Sequence, residues 1–168
     1  GNSNYGTAVV IQHSNGTITH GTPVVYESAS TSATTPCTTY DTNVDRVVIT
    51  YQDTGNSNYL TYVVGTVTAG TNAISFGTPG LVGGGDYWTF NSLEFDPDTN
   101  RVIAAGNSST NSDIRAYVGT VTGGTTNTIS WGSTNEIDGA NGGMVNLAYD
   151  TNVDRIVVAY KDGNNSNY

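Results

Sequence analysis

Short apolar runs alternate with polar turns along the whole chain. Runs such as Val47–Tyr51 and Ile156–Tyr160 are rich in β-branched and aromatic residues, and Gly, Asn, Asp and Ser separate each run from the next. No stretch of a dozen residues places apolar side chains at the i, i+3, i+4 and i+7 positions of an amphipathic helix. The pattern therefore predicts an all-β chain.

The pattern recurs along the chain with a fixed period. Asp41, Asp96 and Asp150 each begin a short polar turn that an arginine follows, and the turns are spaced by about 55 residues. A fixed period of this size is typical of solenoids, propellers and repeat arrays. An Ile-centred run that closes on glycine recurs at the same spacing, at Gly21, Gly77 and Gly132.

Each period contains four predicted strands. The first precedes the turn (Cys37–Tyr40, Ser92–Phe95, Asn146–Tyr149) and the second follows it (Val47–Tyr51, Val102–Ala105, Ile156–Tyr160). The third comprises residues 6–11, 60–64 and 115–118, and the fourth is the Ile-centred run. Four short antiparallel strands that are apolar on both faces predict a blade of a β-propeller, whereas a β-sandwich needs about seven strands per unit.

The order of these strands divides the chain into two blades and two halves. Residues 1–35 supply a third and a fourth strand, residues 36–90 and 91–145 supply one blade each, and residues 146–168 supply a first and a second strand. The predicted fold class is an all-β propeller of four-stranded antiparallel blades, with three blades' worth of strands per chain. Three blades are too few for a closed ring, since propellers typically have about four to eight.

The two halves complement each other in sequence. Asn165–Tyr168 matches Asn56–Tyr59, and the strand that follows Tyr59 is matched by the segment after Tyr5. An open array exposes two unpaired strand edges, which are prone to aggregation, so we expect the last two strands of one chain to pair with the first two of another. Such a head-to-tail homo-oligomer must close by rotation. We favour a six-bladed dimer, with a nine-bladed trimer next.

The order of elements resembles the blades of a known class of propeller. A Tyr-Asp turn, an apolar strand ending in Asp, a Tyr-led strand and then Ile-Ser-Trp-Gly follow one another as in sialidase-like propellers of the Asp-box type. Their box, Ser-x-Asp-x-Gly-x-Thr-Trp, corresponds to residues 122–131, which lack the aspartate. The repeat is also similar to arrays in predicted proteins of marine viruses and microbes. The resemblance implies the propeller architecture and a preference for six-bladed rings.

Charge and composition disfavour several partners. The net charge is −9, from 14 acidic and 5 basic residues, so the basic stripe that nucleic-acid binding requires is missing and an anionic membrane surface is disfavoured. No apolar run approaches the roughly 18 residues of a membrane span, and no signal-peptide pattern is recognisable. Scarce lysine with abundant Thr, Asn, Ser and Gly favours an extracellular or virion surface. The single cysteine, Cys37, is interpreted as a small buried residue.

The turns at Asp41 and Asp150 allow two interpretations. Their Asp-x-Asn-x-Asp spacing places oxygen atoms at alternate positions, as calcium loops do. Arg46 and Arg155 follow these turns, and the glycine and glutamate of an EF-hand are missing. We therefore interpret both segments as structural turns, and we predict neither a metal nor a cofactor.

Candidate binding residues lie on two sets of loops. The fourth-to-first connections (28–35, 80–90 and 133–143) and the second-to-third connections (53–58, 107–113 and 162–167) are predicted to emerge on one face of the ring. An exposed aromatic ring beside Asn and Asp suits carbohydrate, and Trp88 lies outside the repeat pattern; the alternative is that Trp88 packs against a neighbouring blade. The candidate ligand-binding residues are Trp88, Tyr87, Asp86, Asp53, Asn56, Asn58, Asn107, Asp113 and Asp162.

No catalytic constellation is recognisable. A sialidase needs three converging arginines, but Arg46, Arg101 and Arg155 follow the same turn in successive blades. A pair of carboxylates for glycoside hydrolysis, drawn from two blades, stays open. We expect a non-catalytic propeller for recognition or adhesion that binds carbohydrate. The alternatives are a purely structural, self-assembling repeat protein and, less favoured, a glycoside hydrolase.

Overall fold

The chain is built of β-strands and turns. The computed structural model describes residues 4–31, 36–139 and 141–165, and within these ranges it contains sixteen strands and no helix. The all-β prediction is therefore confirmed. It follows that the described residues include no helix that is long and apolar enough to cross a membrane.

The strands follow one another in four layers, which we number I to IV. Layer I contains β1 (Tyr5–Ala8), β2 (Ile11–Ser14), β3 (Thr17–His20) and β4 (Val24–Ser30). Layer II contains β5 (Cys37–Asp41), β6 (Arg46–Asp53), β7 (Tyr59–Val67), β8 (Ile74–Phe76) and β9 (Gly80–Leu81). Layer III contains β10 (Trp88–Asp96), β11 (Arg101–Ser108), β12 (Asp113–Thr122), β13 (Thr128–Trp131) and β14 (Asn135–Asp138). Layer IV contains β15 (Gly143–Asp150) and β16 (Arg155–Lys161).

Layers II and III share one topology, an antiparallel meander whose outer strand is broken in two. The order is β5-β6-β7-β8 in layer II, with β9 also on β7, and β10-β11-β12-β13 in layer III, with β14 also on β12. The break follows a glycine whose N–H donates to the third strand, from Gly77 to the Val64 carbonyl and from Gly132 to the Val118 carbonyl, both at 2.9 Å. The four-stranded antiparallel repeat is thus present twice.

Layer I repeats only the outer half of this meander. β1 pairs with β4 and β2 pairs with β3, and Gly21 donates to the Val10 carbonyl at 3.0 Å, as Gly77 and Gly132 do in their layers. Layer IV repeats only the inner half, because β15 pairs with β16 alone among the described strands. The described part of the chain therefore contains two whole meanders between two halves.

The strand boundaries differ from the predicted ones at the outer strand and at the start of the first strand. β9 and β14 lie inside segments predicted as connections, residues 80–90 and 133–143, because the glycine break interrupts the apolar alternation that marks a strand. β10 begins at Trp88 and β15 at Gly143, so the predicted blade boundaries after residues 90 and 145 fall within strands. The predicted join between the chain's ends rests partly on residues 1–3 and 166–168, which lie outside the described residues.

The core consists of three apolar clusters, one between each pair of consecutive layers. Because side chains alternate along a strand, Ile49 faces layer I, while Val48, its neighbour on β6, faces layer III. Both are buried. The largest cluster lies between layers II and III and includes Val64, Phe95 and Tyr117. The predicted apolar character of both faces of the second strand is confirmed in layer II.

Each of the three Asp turns is closed by its own aspartate and arginine. The Asp41 carboxylate accepts hydrogen bonds from the backbone N–H groups of Asn43 (2.9 Å) and Val44 (3.2 Å). Asp96 accepts the equivalent two bonds, and Asp150 accepts the N–H of Asn152 at 2.8 Å. The arginine that follows donates to two carbonyls of its own turn; for Arg46 the distances are 3.1 and 2.8 Å. The interpretation of these segments as turns is confirmed.

Candidate functional site

The predicted loops do meet at one end of the layers, which we call the loop end. Ser109, after β11, donates its N–H to the Tyr87 carbonyl at 2.8 Å, and Leu60 donates to the Asp86 carbonyl at 3.0 Å. Tyr87 and Asp86 belong to the connection between layers II and III, whereas Ser109 and Leu60 flank second-to-third turns. Three interlayer junctions reach this end, and they differ in which residues fill them.

The junction between layers I and II is an open, acidic groove of about 360 Å³. Glu27 on β4 is its central acceptor, with one oxygen (Oε2) accepting the Tyr51 hydroxyl at 3.0 Å and the other (Oε1) accepting the Ala29 N–H at 2.9 Å. Two predicted site residues, Asp53 and Asn56, line the same groove, whose floor includes Leu81. The structure thus brings together part of the predicted set around a residue that the prediction missed.

Electrostatics in this first groove favours hydrogen-bond donors. Burial, followed by the nearby negative charge of Glu27, raises the pKa of Asp53. Burial and the hydrogen bond to Glu27 also raise the pKa of Tyr51, so its hydroxyl keeps its proton and acts as donor. Among the described residues no cationic side chain forms an ion pair with Glu27 or Asp53. The two carboxylates therefore present uncompensated acceptors to anything that enters the groove.

The junction between layers III and IV has an equivalent pair. Tyr160 occupies the position of Tyr51, and its hydroxyl donates to the carboxylate of Asp138, which occupies the position of Glu27. A second groove, of about 340 Å³, lies at the start of β15 and the end of β16 and is lined by Phe90, Asn141, Gly142, Gly143, Met144, Lys161 and Gly163. The tyrosine–carboxylate pair therefore recurs at two junctions, but Glu27 lines the first groove whereas neither Tyr160 nor Asp138 lines the second.

The second groove combines an exposed aromatic ring with a side-chain amide that is fixed by hydrogen bonds. Phe90 is 40% exposed. Asn141 accepts a hydrogen bond from the amide of Asn107 at 3.4 Å, and Asn107 in turn accepts one from the Thr89 hydroxyl at 3.0 Å. Asn107, a predicted site residue, is buried. It therefore acts as a support for Asn141 and not as a surface contact.

The middle junction, between layers II and III, is closed by Trp88. Its ring is fully buried and stacks on Tyr117 with the ring centroids 5.7 Å apart, while its indole N–H donates to Asp86 at 2.9 Å. The prediction of an exposed Trp88 ring is wrong, and the alternative, packing between layers, is what the structure has. The reason lies in two glycines: Gly106 stands where layers II and IV have tyrosine, and Gly83 stands where Glu27 and Asp138 stand.

Two further carboxylates of the predicted set, Asp113 and Asp86, have partners within the fold, and Asp113 belongs to an ion-pair cluster. Arg115 donates to both carboxylate oxygens of Asp113 at 2.8 Å, and its guanidinium lies 3.7 Å from Glu136. Hydrogen bonding to Asp113 raises the pKa of Arg115. Asp113 is buried, and Asp86 holds the Trp88 indole. Both predicted carboxylates therefore have structural partners and are less accessible than the prediction required.

The other predicted residues occupy the turns themselves. Asp53 and Asp162 accept the N–H groups of Gly55 (2.9 Å) and Asn164 (2.8 Å), so each closes a second-to-third turn. Asn58 is half-buried with a positive φ of 60°, a conformation that asparagine tolerates. Tyr87 is 37% exposed. Of the predicted aromatic residues, only Tyr87 is thus available at the surface.

Sequence reasoning missed Glu27, Phe90 and Lys161. Glu27 lies on β4, the second half of the broken outer strand, which the sequence did not predict as a strand, and its hydrogen bond with Tyr51 joins two layers. The recurrence of tyrosine at positions 51 and 160, with glycine between them at 106, was a signal that could have indicated two open junctions and one closed one.

Comparison with known proteins gives no match: no family model, no curated protein and no solved structure corresponds to this chain. The resemblance to sialidase-like propellers therefore stays a prediction.

Proposed function

We propose that this chain is a non-catalytic recognition module that binds carbohydrate at its loop end, in the groove lined by Glu27 and in the groove lined by Phe90. The observation that supports the proposal is the presence of two open grooves at this end, the first lined by Glu27, Asp53 and Asn56 and the second by Phe90 and Asn141. Binding residues are commonly carried on loops that a rigid framework holds in place.

The chemistry of the grooves suits a polyhydroxylated ligand. In the first groove, Glu27 and Asp53 accept hydrogen bonds and the Asn56 amide can both donate and accept. In the second, Phe90 offers an apolar ring face beside the amide of Asn141. A few oriented polar groups with an apolar surface are what small-ligand sites combine. Sugar hydroxyls satisfy the first set, and the apolar face of a sugar ring covers the second.

Binding to a glycan array, followed by titration calorimetry with the best ligand, tests the proposal. Replacing Glu27 with Gln removes a charged acceptor, and Phe90→Ala removes the exposed ring; we expect one or both to weaken binding at least about tenfold. Val67→Ala is the matched control, because Val67 is exposed to a similar degree (38%) on β7 outside either groove. Binding that survives both groove substitutions would refute this assignment.

We further propose that the four layers are consecutive parts of a β-propeller on a virion or secreted protein, with the ring completed by other copies of the chain. The stacked four-stranded meanders and the two half-meanders support this arrangement. A six-bladed dimer is favoured over a nine-bladed trimer. Light scattering after size exclusion measures the number of chains directly; a single chain at micromolar concentration would contradict the oligomer.

Two other functions make different predictions. A purely structural, self-assembling repeat protein would assemble and bind no glycan, and the exposed apolar residues of layers I and IV favour this second candidate. A glycoside hydrolase would need two carboxylates flanking the scissile bond, and Glu27 and Asp53 are the pair that lines one groove. We expect no turnover of aryl glycosides, and hydrolysis abolished by both Glu27→Gln and Asp53→Asn would establish the enzyme instead.

A further inference from the structure

The outward faces of layers I and IV expose residues whose counterparts are buried elsewhere. Val157 on β16 is 56% exposed, whereas Val48, at the same position of layer II, is fully buried against layer III. Val9, between β1 and β2, is 44% exposed, whereas its counterpart Val63 is fully buried against layer I. In both cases the difference is the absence of a covering layer among the described residues.

A second pair of exposed positions lies opposite the missing halves. Tyr40 in layer II is 47% exposed, whereas its counterpart Phe95 is 6% exposed and packs on layer II. Val118 in layer III is 43% exposed, and its counterpart Val64 is fully buried. Among the described residues, layer I has no first or second strand on the side that Tyr40 faces, and layer IV has no third or fourth strand on the side that Val118 faces. Each exposed patch therefore lies where the other complete layers carry a half-meander.

The strand edges show the same complementarity. In layers II and III the second strand pairs with the third, Val48 opposite Val64 and Ile103 opposite Val118. In layer IV the second strand, β16, pairs only with β15 within the described chain, and in layer I the third strand, β1 and β2, pairs only with β3 and β4. The unpaired edge of β16 and the unpaired edge of β1 and β2 therefore correspond to the two strand edges that pair with each other in layers II and III.

We propose that β16 of one copy pairs antiparallel with β1 and β2 of a second copy, with Val157 directly opposite Val10. This inference rests on the oligomeric propeller proposed above and specifies its interface. The register follows by analogy from the Val48–Val64 and Ile103–Val118 pairs. It places Val157 against Tyr40 of the second copy, as Val48 packs with Phe95 within one chain.

A polar contact inside the chain indicates what else the second copy would supply. Arg46 donates from Nε to Asn127 of the next layer at 2.8 Å, in addition to closing its own turn. Arg155 closes its turn in the same way, with carbonyl contacts of 3.2 and 2.7 Å, and its remaining donors bond nothing within the described residues. By the repeat, the partner of Arg155 is Asn72 of the second copy.

The glycine after the outer strand supports the same alignment. A Cβ on Gly77 would lie 2.9 Å from the Asn127 side chain, and a Cβ on Gly21 would lie 1.8 Å from the Asn72 carbonyl oxygen. Asn72 thus sits on layer I as Asn127 sits on layer II. In the assembled ring, layer I of one copy and layer IV of another form one sheet, so Arg155 approaches Asn72 from the position that Arg46 has beside Asn127.

Engineered disulfides test the register. The Val64 carbonyl accepts the N–H of Gly77, so the backbone polar groups of Val64 point away from β6. Val48 and Val64 therefore form a non-hydrogen-bonded pair. Such pairs have Cα atoms about 4.5 Å apart, within the range of about 4.4–6.8 Å that a disulfide spans. In a Cys37→Ser background, Val157→Cys with Val10→Cys should therefore form intermolecular disulfides on mild oxidation. Val157→Cys with Val9→Cys should not, because Val9 points to the opposite face.

The outcomes separate the register from the assembly. A covalent oligomer with the Val10 variant and not with the Val9 variant supports the proposal, and its mass on a non-reducing gel distinguishes dimer from trimer. An oligomer by light scattering that cross-links only with Val9→Cys, or with neither variant, would overturn the register and leave the oligomer standing. A chain that is monomeric by light scattering would overturn both, whatever the glycan array shows.

Substitution of the polar contact provides a second test with an internal control. Arg155→Ala and Asn72→Ala should each raise the dissociation constant of the oligomer about tenfold, since each removes one side of a charged hydrogen bond. Arg101→Ala is the matched control. Arg101 closes the same kind of turn, but the residue at its predicted partner position is Gly16, which has no side-chain amide to accept a hydrogen bond. Equal effects of Arg101→Ala and Arg155→Ala on dissociation would contradict the Arg155–Asn72 contact.

Discussion

The junction between layers II and III and the two junctions that flank it are built from the same positions with different residues. At the flanking junctions a tyrosine on the second strand, Tyr51 or Tyr160, bonds a carboxylate on the outer strand of the preceding layer. At the middle junction glycine replaces both members, at positions 106 and 83, and the Trp88 ring fills the space. The same backbone thus gives two junctions that contain a tyrosine–carboxylate pair and one junction that an apolar ring seals.

Whether a side chain of the repeat is buried therefore depends on the residues that face it in the adjacent layer, and not on its position in the strand alone. A Cβ on Gly106 would lie 2.4 Å from the Trp88 ring, so tryptophan and a larger residue at position 106 exclude each other. Substitution at the middle junction should therefore lower stability, whereas substitution at a flanking junction should lower both stability and glycan binding.

The largest effect is expected from removing the residue that seals the middle junction. Trp88→Ala leaves a cavity between Tyr117 and Gly106, and we expect a loss of about 3–5 kcal/mol in the free energy of unfolding. Urea unfolding followed by tyrosine fluorescence and circular dichroism measures it. Tyr87→Ala, one residue away and exposed, is the control and should cost less than about 1 kcal/mol. A loss below about 1 kcal/mol for Trp88→Ala would contradict the role assigned to the ring.

The next effect tests the exclusion between Trp88 and position 106. Gly106→Ala places a methyl group against both the ring and the Phe90 carbonyl oxygen, at 2.4 and 2.2 Å, and overpacking of this kind costs about 1–3 kcal/mol. Combining Gly106→Ala with Trp88→Ala should cost less than the sum of the two single losses, because the clash with the ring disappears and only the contact with the Phe90 carbonyl oxygen is left. Strict additivity in urea unfolding would show that the two sites are independent.

A smaller loss is expected at a flanking junction. Tyr51→Phe removes the donor to Glu27 and leaves a buried ring, so we expect destabilisation of about 1–2 kcal/mol together with weaker glycan binding in the first groove. Tyr87→Phe, at an exposed ring, should change neither quantity. A neutral Tyr51→Phe in both thermal unfolding and calorimetry would mean that the pair does not organise the groove.

The smallest effect concerns pH. The folded protein raises the pKa of Asp53, through burial and the charge of Glu27, so it binds a proton there more tightly than the unfolded chain. The contribution of Asp53 to stability is therefore greatest at low pH and falls as pH rises from the unfolded value of 3.8 through the folded one. Asp53→Asn should remove this part of the pH dependence of the urea midpoint.

Asp96 supplies the control of opposite sign. Burial acts to raise the pKa of Asp96, but hydrogen bonds from Thr99 and Asp98 outweigh it and the pKa is lowered. Its contribution to stability is therefore present above the unfolded value and is lost as pH falls through the folded one. Asp96→Asn should flatten the acid side of the profile, and the same change in profile for both variants would contradict the assignment.

Much of the fold followed from local patterns, whereas much of the site did not. The apolar run of β6 and the Asp41 turn were predictable because alternation and turn chemistry act between near neighbours in sequence. The second half of the outer strand was missed, since the break at Gly77 and the polar composition of residues 135–138 hide its period. Glu27 was missed with it, and its partnership with Tyr51 depends on how two layers meet.

The sequence by itself determined the strands, the turns and the period, because these depend on side-chain alternation and on hydrogen bonds within a few residues. Only the tertiary structure decided which junctions are open. The burial of Trp88 depends on Gly83 and Gly106, which belong to different layers. If position 106 carried a tyrosine, as positions 51 and 160 do, the indole would have to lie at the surface. Packing between layers, a contact between residues distant in sequence, sets where this protein is sealed and where it can bind.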